Sequence, residues 1–171
     1  MPAPLLYVVA LAIMVIEGGL LMALGVEALA LHTPIALTIV LGLDRKFVPA
    51  AVILALLIPP IEWLVVGIPG VYGLGLVALF FLLRAIRSNL QQEWGVSRAL
   101  VAGIGGAVHT VVMMVVLAAM GLAGEPVMSA VSWALVWTPV VVAVVTVVVG
   151  RVINRLDHWM DPRDSAARVS Y

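Results

Sequence analysis

The chain has 171 residues, 64% of them hydrophobic and 11% charged, with a mean hydropathy of +1.23; an average soluble domain is about 45–50% apolar and about 25% charged. A soluble fold of this size leaves about a third of its unfolded-chain surface exposed, and nine Lys and Arg with nine Asp and Glu cannot cover it, so the solvent of this fold is lipid. The net charge of +0 leaves no charged tail for a nucleic acid, and the absence of cysteine excludes disulfides, thiolate metal sites, iron–sulfur clusters and cysteine nucleophiles.

A spanning helix needs about 20 mostly apolar residues, and the chain reads as six. The first covers residues 4–25. The second covers 29–43, with Pro34 in its first turns, and stops at Asp44-Arg45-Lys46. The third, 47–66, carries Pro59 and Pro60, which should kink or break it because neither donates a backbone hydrogen bond. The turn Gly67-Ile68-Pro69-Gly70 leads into the fourth, 71–83. The fifth covers 100–122, and after Gly124-Glu125-Pro126 the sixth covers 127–150. Residues 151–171 form an amphipathic cytoplasmic tail.

Charge decides where the hydrophobic runs turn. Basic residues mark cytoplasmic loops. The nine are Arg45 and Lys46 after the second span, Arg84, Arg87 and Arg98 between the fourth and fifth, and Arg151, Arg155, Arg163 and Arg168 after the sixth. The opposite connections contain none. Such a split falls on alternate loops when there are six spans with both termini cytoplasmic, and merging spans would throw basic clusters to opposite sides. Because no Lys or Arg precedes residue 45, the N-terminal run lacks the basic region of a signal peptide and reads as a span, despite the small residues Ala28-Leu29-Ala30.

Two cytoplasmic segments have the pattern of membrane-surface helices. In Arg84 to Arg98, Ile86, Leu90 and Trp94 recur opposite Arg87, Gln91 and Gln92; in Arg151 to Met160, Val152, Leu156, Trp159 and Met160 face away from Arg151, Asn154 and Arg155. Trp94 and Trp159 are the expected headgroup anchors.

Ionisable groups at membrane depth are costly. Glu17 lies deep in the first span, Glu62 near the outer end of the third beside Trp63, and His109 near the middle of the fifth, while Glu27 and His32 belong to the first outer connection. One reading joins Glu17, Glu62 and His109 in a proton or cation relay or an outward polar pocket. The other has Glu17 hydrogen-bonded to a neighbouring helix or a partner, Glu62 snorkelling to the interface, and His109 in an interhelical hydrogen bond. One histidine and scattered glutamates give no dense metal-ligand spacing.

Small residues mark candidate packing faces, within the bundle first and otherwise against a partner subunit. Ala99, Gly103 and Ala107 lie four apart on the fifth span, with Gly106 and Thr110 alongside, and Gly19 and Ala23 form a shorter pair on the first. No phosphate loop, HExxH pair or serine triad is present, and Ser129 and Ser132 have no base nearby in sequence, so the chain reads as a non-enzyme without a cofactor.

The order of these signals resembles the bacterial rod shape-determining protein MreD family. The elements are Pro34-Ile35-Ala36-Leu37 opening the second span, the basic loop Asp44-Arg45-Lys46, Ile61-Glu62-Trp63-Leu64 ending the third, Gly67-Ile68-Pro69-Gly70, and Arg84-Ala85-Ile86-Arg87 ending the fourth. The likeness runs over almost the whole chain and consists of hydropathy and loop spacing. It departs at Ile35, where such sequences commonly carry an acidic residue, and at Pro59-Pro60, where they carry glycines. The resemblance implies an all-α inner-membrane bundle similar to the S-components of energy-coupling-factor vitamin transporters. It also implies a membrane partner of MreC in the cell-elongation machinery, beside a glycan polymerase and a transpeptidase. Two other classes stay open: an S-component-like carrier of a small molecule such as a vitamin, and a small ion-coupled transporter. The transporter should show paired intramembrane charges or an internal repeat; no convincing repeat is seen.

Overall fold

The computed structural model describes residues 3–23, 32–64, 69–87, 96–122 and 124–160. Six helices make up these residues, with no strand among them: α1 (Ala3–Ala23), α2 (Thr33–Asp44), α3 (Phe47–Leu64), α4 (Val71–Ile86), α5 (Val96–Ala119) and α6 (Glu125–Met160). Three stretches, Phe47–Leu64, Ser97–Ala119 and Trp133–Asp157, are long and apolar enough to cross a membrane, which marks the chain as a membrane protein. The apolar stretches Pro4–Leu20, Thr33–Asp44 and Val71–Ile86 of the other helices are shorter.

The core is built around α2. Every residue from Thr33 to Leu43 is buried, as expected of a helix that is apolar all round. Its neighbours each offer one stripe: Leu6, Ala10 and Met14 on α1; Ala50, Ile53, Leu54, Leu57 and Ile61 on α3; Tyr72, Leu76, Leu79, Phe80 and Leu83 on α4. Spacings of three and four residues put each set on one helix face. The opposite faces carry exposed apolar side chains such as Ile16, Val48, Val52 and Phe81, the arrangement that suits contact with lipid tails.

The α5–α6 pair is the most extensive in the fold, and glycine makes it so. A Cβ added at Gly103 would stand 3.3 Å from the Pro139 carbonyl oxygen, and one at Gly106 would meet Val142 Cβ at 3.2 Å and the Thr138 carbonyl oxygen at 3.3 Å. Backbones this close leave no room for a larger residue. Gly121, at a φ of +73°, ends α5: Leu122 N–H donates to the Leu117 carbonyl and Gly121 N–H to the Ala118 carbonyl. That pair of bonds is a Schellman turn, in which a left-handed residue follows the helix.

Three expectations need correction. Pro59 and Pro60 lie inside α3 without breaking it. The sixth helix does not stop at residue 150: α6 continues unbroken to Met160, burying Ile153 and pairing Asp157 with Arg45, while residues 161–171 lie outside the described residues. Among the described residues nothing lies within reach of a Cβ added at Gly19, and Ala23 is exposed, so that small pair packs on no described helix.

Candidate functional site

The antiparallel run of helices brings the ends of α1 and α3 together with the starts of α2 and α4. This carboxylate end holds Glu17 and Glu62. The other end collects the close of α2, α4 and α6 and the start of α5, and holds arginines.

Helix N-termini carry backbone N–H groups with no partner inside the helix. A Ser, Thr, Asp or Asn side chain usually accepts from them. Neither α2 nor α4 has such a local side-chain cap. Carboxylates from the preceding helices do the work instead. Glu17 Oε1 accepts from the His32 N–H at 3.0 Å, and its Oε2 accepts from the Thr33 N–H at 3.0 Å. Pro34, next in line, has no N–H to satisfy. Glu62 repeats the device on α4, its Oε2 accepting from Gly70 N–H at 2.8 Å and its Oε1 from Gly73 N–H at 2.6 Å. Gly70 adopts a φ of +90°, which only glycine takes up readily, and so turns its N–H towards Glu62. A Cβ at Gly73 would stand 2.9 Å from the same carboxylate oxygen.

The need for a cap from a distant helix follows from the length of α2. Twelve residues rise about 18 Å at about 1.5 Å each, against about 30 Å of hydrocarbon. Standing across a bilayer, such a helix cannot bring both ends to water. An acceptor for its first N–H groups must therefore come from another helix, since an unsatisfied backbone group in lipid costs several kcal/mol.

Between the two caps lie the rings of Tyr72 and His109, both 3% exposed. They meet edge to face with centroids 4.8 Å apart, and the imidazole is hydrogen-bonded to the Tyr72 backbone. Nε2 of His109 is buried without a partner. It presses on α4 at Gly75, where an added Cβ would lie 2.8 Å away. Tyr72 is within electrostatic range of Glu17 and Glu62, and His109 of His32. The fold thus gathers Glu17, His32, Glu62, Tyr72 and His109. Yet no hydrogen bond among the described residues runs from Nε2 to either carboxylate. No group of three His, Asp or Glu side chains among those residues could hold a metal ion.

The arginine end is the counterpart. Arg84 Nη2 donates to the Arg45 carbonyl at 2.6 Å and to the Leu41 carbonyl at 3.3 Å, both at the close of α2. Arg87 Nη1 donates to the same Arg45 carbonyl at 2.9 Å. Arg45 pairs with Asp157 at 2.5 Å, and Arg98 pairs with Asp44. The Arg84 guanidinium also lies over the Phe47 and Phe80 rings, 5.7 and 5.2 Å from their centroids.

Of the other residues singled out in the sequence, Gly103 faces α6 while Ala99 and Ala107 are half-buried; Gly106 is buried against α6, and Gly105, which faces Ile39 and Leu79 instead, is buried towards α2 and α4. Trp159 is 81% exposed near the end of α6, and Trp94 lies outside the described residues. Tyr72, Gly73 and Gly75 escaped notice in the sequence. The signal for them was a helix start without a capping side chain, which calls for an acceptor from elsewhere. No family model matches the chain, and comparison with curated proteins and with solved structures finds none similar to it.

Proposed function

We propose that this chain is a non-catalytic, six-span subunit of the bacterial cell-elongation machinery, resident in the inner membrane with both termini cytoplasmic. In this reading it resembles the MreD family and scaffolds an MreC-like protein beside a glycan polymerase and a transpeptidase. The observation that carries the reading is the use made of the two carboxylates. Each has both oxygens taken up by backbone N–H groups of the next helix, which suits a rigid architectural bundle and leaves no carboxylate poised to pass a proton to His109. The gathering of arginines at one end is what a cytoplasmic face requires.

Copurification from native membranes in mild detergent tests this. Recovery with the MreC-like protein and the synthase pair is the expected result, and recovery alone with a bound small molecule overturns it. That second outcome is the signature of the S-component-like carrier, a reading favoured by the unpartnered Nε2 of His109 beside Tyr72. Reporter fusions test the topology, with residues 45, 90 and 165 expected inside and residues 30, 68 and 124 outside.

A further inference from the structure

The arginine end carries more positive charge than its architecture uses. Arg45 and Arg98 each face a carboxylate, but Lys46, Arg84 and Arg87 meet none among the described residues. Arg84 and Arg87 converge on one atom, the Arg45 carbonyl oxygen. A helix C-terminus offers about half an elementary negative charge, so two guanidiniums on the end of α2 stay under-neutralised and repel each other. The arrangement is held in place regardless. Arg84 is clamped against Phe47 and Phe80, and its Nε is buried without an acceptor, as is that of Arg45. Lys46, adjacent in the chain to the shared carbonyl, is exposed.

An apolar surface begins directly beside these charges. Phe47, Val48, Phe81 and Leu82 are all exposed large hydrophobics, and the Phe47 and Phe81 rings lie 6.2 Å apart. A ligand that fits both features has an anionic phosphate head and hydrocarbon chains. We propose that Lys46, Arg84 and Arg87 form a binding site for the phosphate of an anionic phospholipid, with its acyl chains along Phe47, Val48, Phe81 and Leu82. Guanidinium groups suit this task because their planar donors match phosphate oxygens. Basic pockets between helix ends at a membrane surface are where such headgroups bind. The site needs only that these helix ends reach a headgroup layer, and does not depend on the assembly role proposed above.

The test uses the full chain in detergent, titrated with dioleoyl phosphatidylglycerol or dioleoyl phosphatidylcholine and read by native mass spectrometry. Arg84 holds two carbonyls at the close of α2 and packs on Phe47 and Phe80, whereas Arg87 holds, among the described residues, only the one it shares with Arg84, so the variants are Lys46→Gln and Arg87→Gln. Each lost charge should weaken phosphatidylglycerol binding about fivefold, from about 1 kcal/mol per basic residue near a membrane surface. The double variant should therefore lose roughly twentyfold to thirtyfold, with phosphatidylcholine binding unchanged. Should the double variant not fold, Lys46→Gln alone, at an exposed position, gives the same reading at about fivefold. Inorganic phosphate separates the sources: its failure to displace phosphatidylglycerol assigns the site to lipid, and its displacement of the lipid assigns the same phosphate chemistry to a soluble ion. Equal phosphatidylglycerol binding by the wild type and the variants overturns the proposal.

Discussion

The two ends of this bundle face the same problem with opposite charges. At the carboxylate end, short helices start and their N–H groups need acceptors; at the arginine end, helices finish and their carbonyls need donors. Glu17 and Glu62 match supply to demand, each taking two N–H groups with two oxygens. The arginine end does not match. A guanidinium brings five donors, and Arg84 and Arg87 crowd onto carbonyls that Arg45 and Leu41 provide. A carboxylate cap can be used up by the helix it closes, whereas arginine caps leave donors and charge to spare. One end is therefore closed in on itself, and the other is open to an anion.

The largest effect expected from this contrast is at Glu17. Replacing it with leucine strands the His32 and Thr33 N–H groups, and at about 1–3 kcal/mol for each unsatisfied buried donor the loss should be about 2–6 kcal/mol. Glu17→Gln keeps one acceptor oxygen but sets an amide NH2 against the other backbone N–H, so it should cost about 1–3 kcal/mol, roughly half the loss of Glu17→Leu. Thermal unfolding in detergent reads both. If Glu17→Gln is as damaging as Glu17→Leu, the charge and not the acceptor closes α2; if Glu17→Gln folds with its partners and loses activity, proton transfer is the better account.

How much of this was legible in the sequence differs between the two ends. Six helical segments and the gathering of basic residues could be read from hydropathy and charge, because both are local properties. The partner of Glu62 could not. A glutamate followed by Trp63 near a helix end reads as an interfacial residue, and Trp63 is indeed 94% exposed, but Glu62 turns back to α4. Only the missing cap in Gly67-Ile68-Pro69-Gly70 hinted at it. Nor could sequence tell Gly103, set against the Pro139 carbonyl, from Gly19, which faces no other helix among the described residues. Both sit in small-residue patterns, and the difference is one of neighbours. The continuation of α6 through Arg151 was hidden for a related reason: polarity sets in at that point, yet Ile153 is buried, and packing carries the helix past the change in composition.

Between the two ends, steric tests probe the glycines that let the helices close. Gly75→Ala drives a methyl group to 2.8 Å from His109 Nε2, and overpacking of this kind costs about 1–3 kcal/mol. The penalty should largely vanish in a His109→Ala background, giving a coupling of at least about 1 kcal/mol in a double-mutant cycle. Additive effects would mean the imidazole moves aside freely. Gly103→Leu should cost a similar amount, about 1–3 kcal/mol, through collision with the Pro139 carbonyl. Gly19→Leu should change the stability of the isolated chain by no more than about 0.5 kcal/mol. Unchanged melting and unchanged partner recovery in Gly103→Leu would show that this face tolerates bulk as lipid-facing positions do.

Among changes that break a contact, the smallest effect expected is at the Arg45–Asp157 pair. Its side chains are 23% and 29% exposed, and partly solvated pairs are typically worth about 0.2–1 kcal/mol. The Arg45 backbone carbonyl, which receives Arg84 and Arg87, is untouched by a change at Asp157. Asp157→Asn should therefore lower stability by less than about 1 kcal/mol. Any loss should shrink in about 1 M salt, where the screening length falls to about 3 Å. Melting curves of the wild type and Asp157→Asn at low and high salt decide it. A loss as large as that of Glu17→Leu, and insensitive to salt, would mean that the arginine end is closed as firmly as the carboxylate end. The difference between them would then lie in the sign of the charge alone.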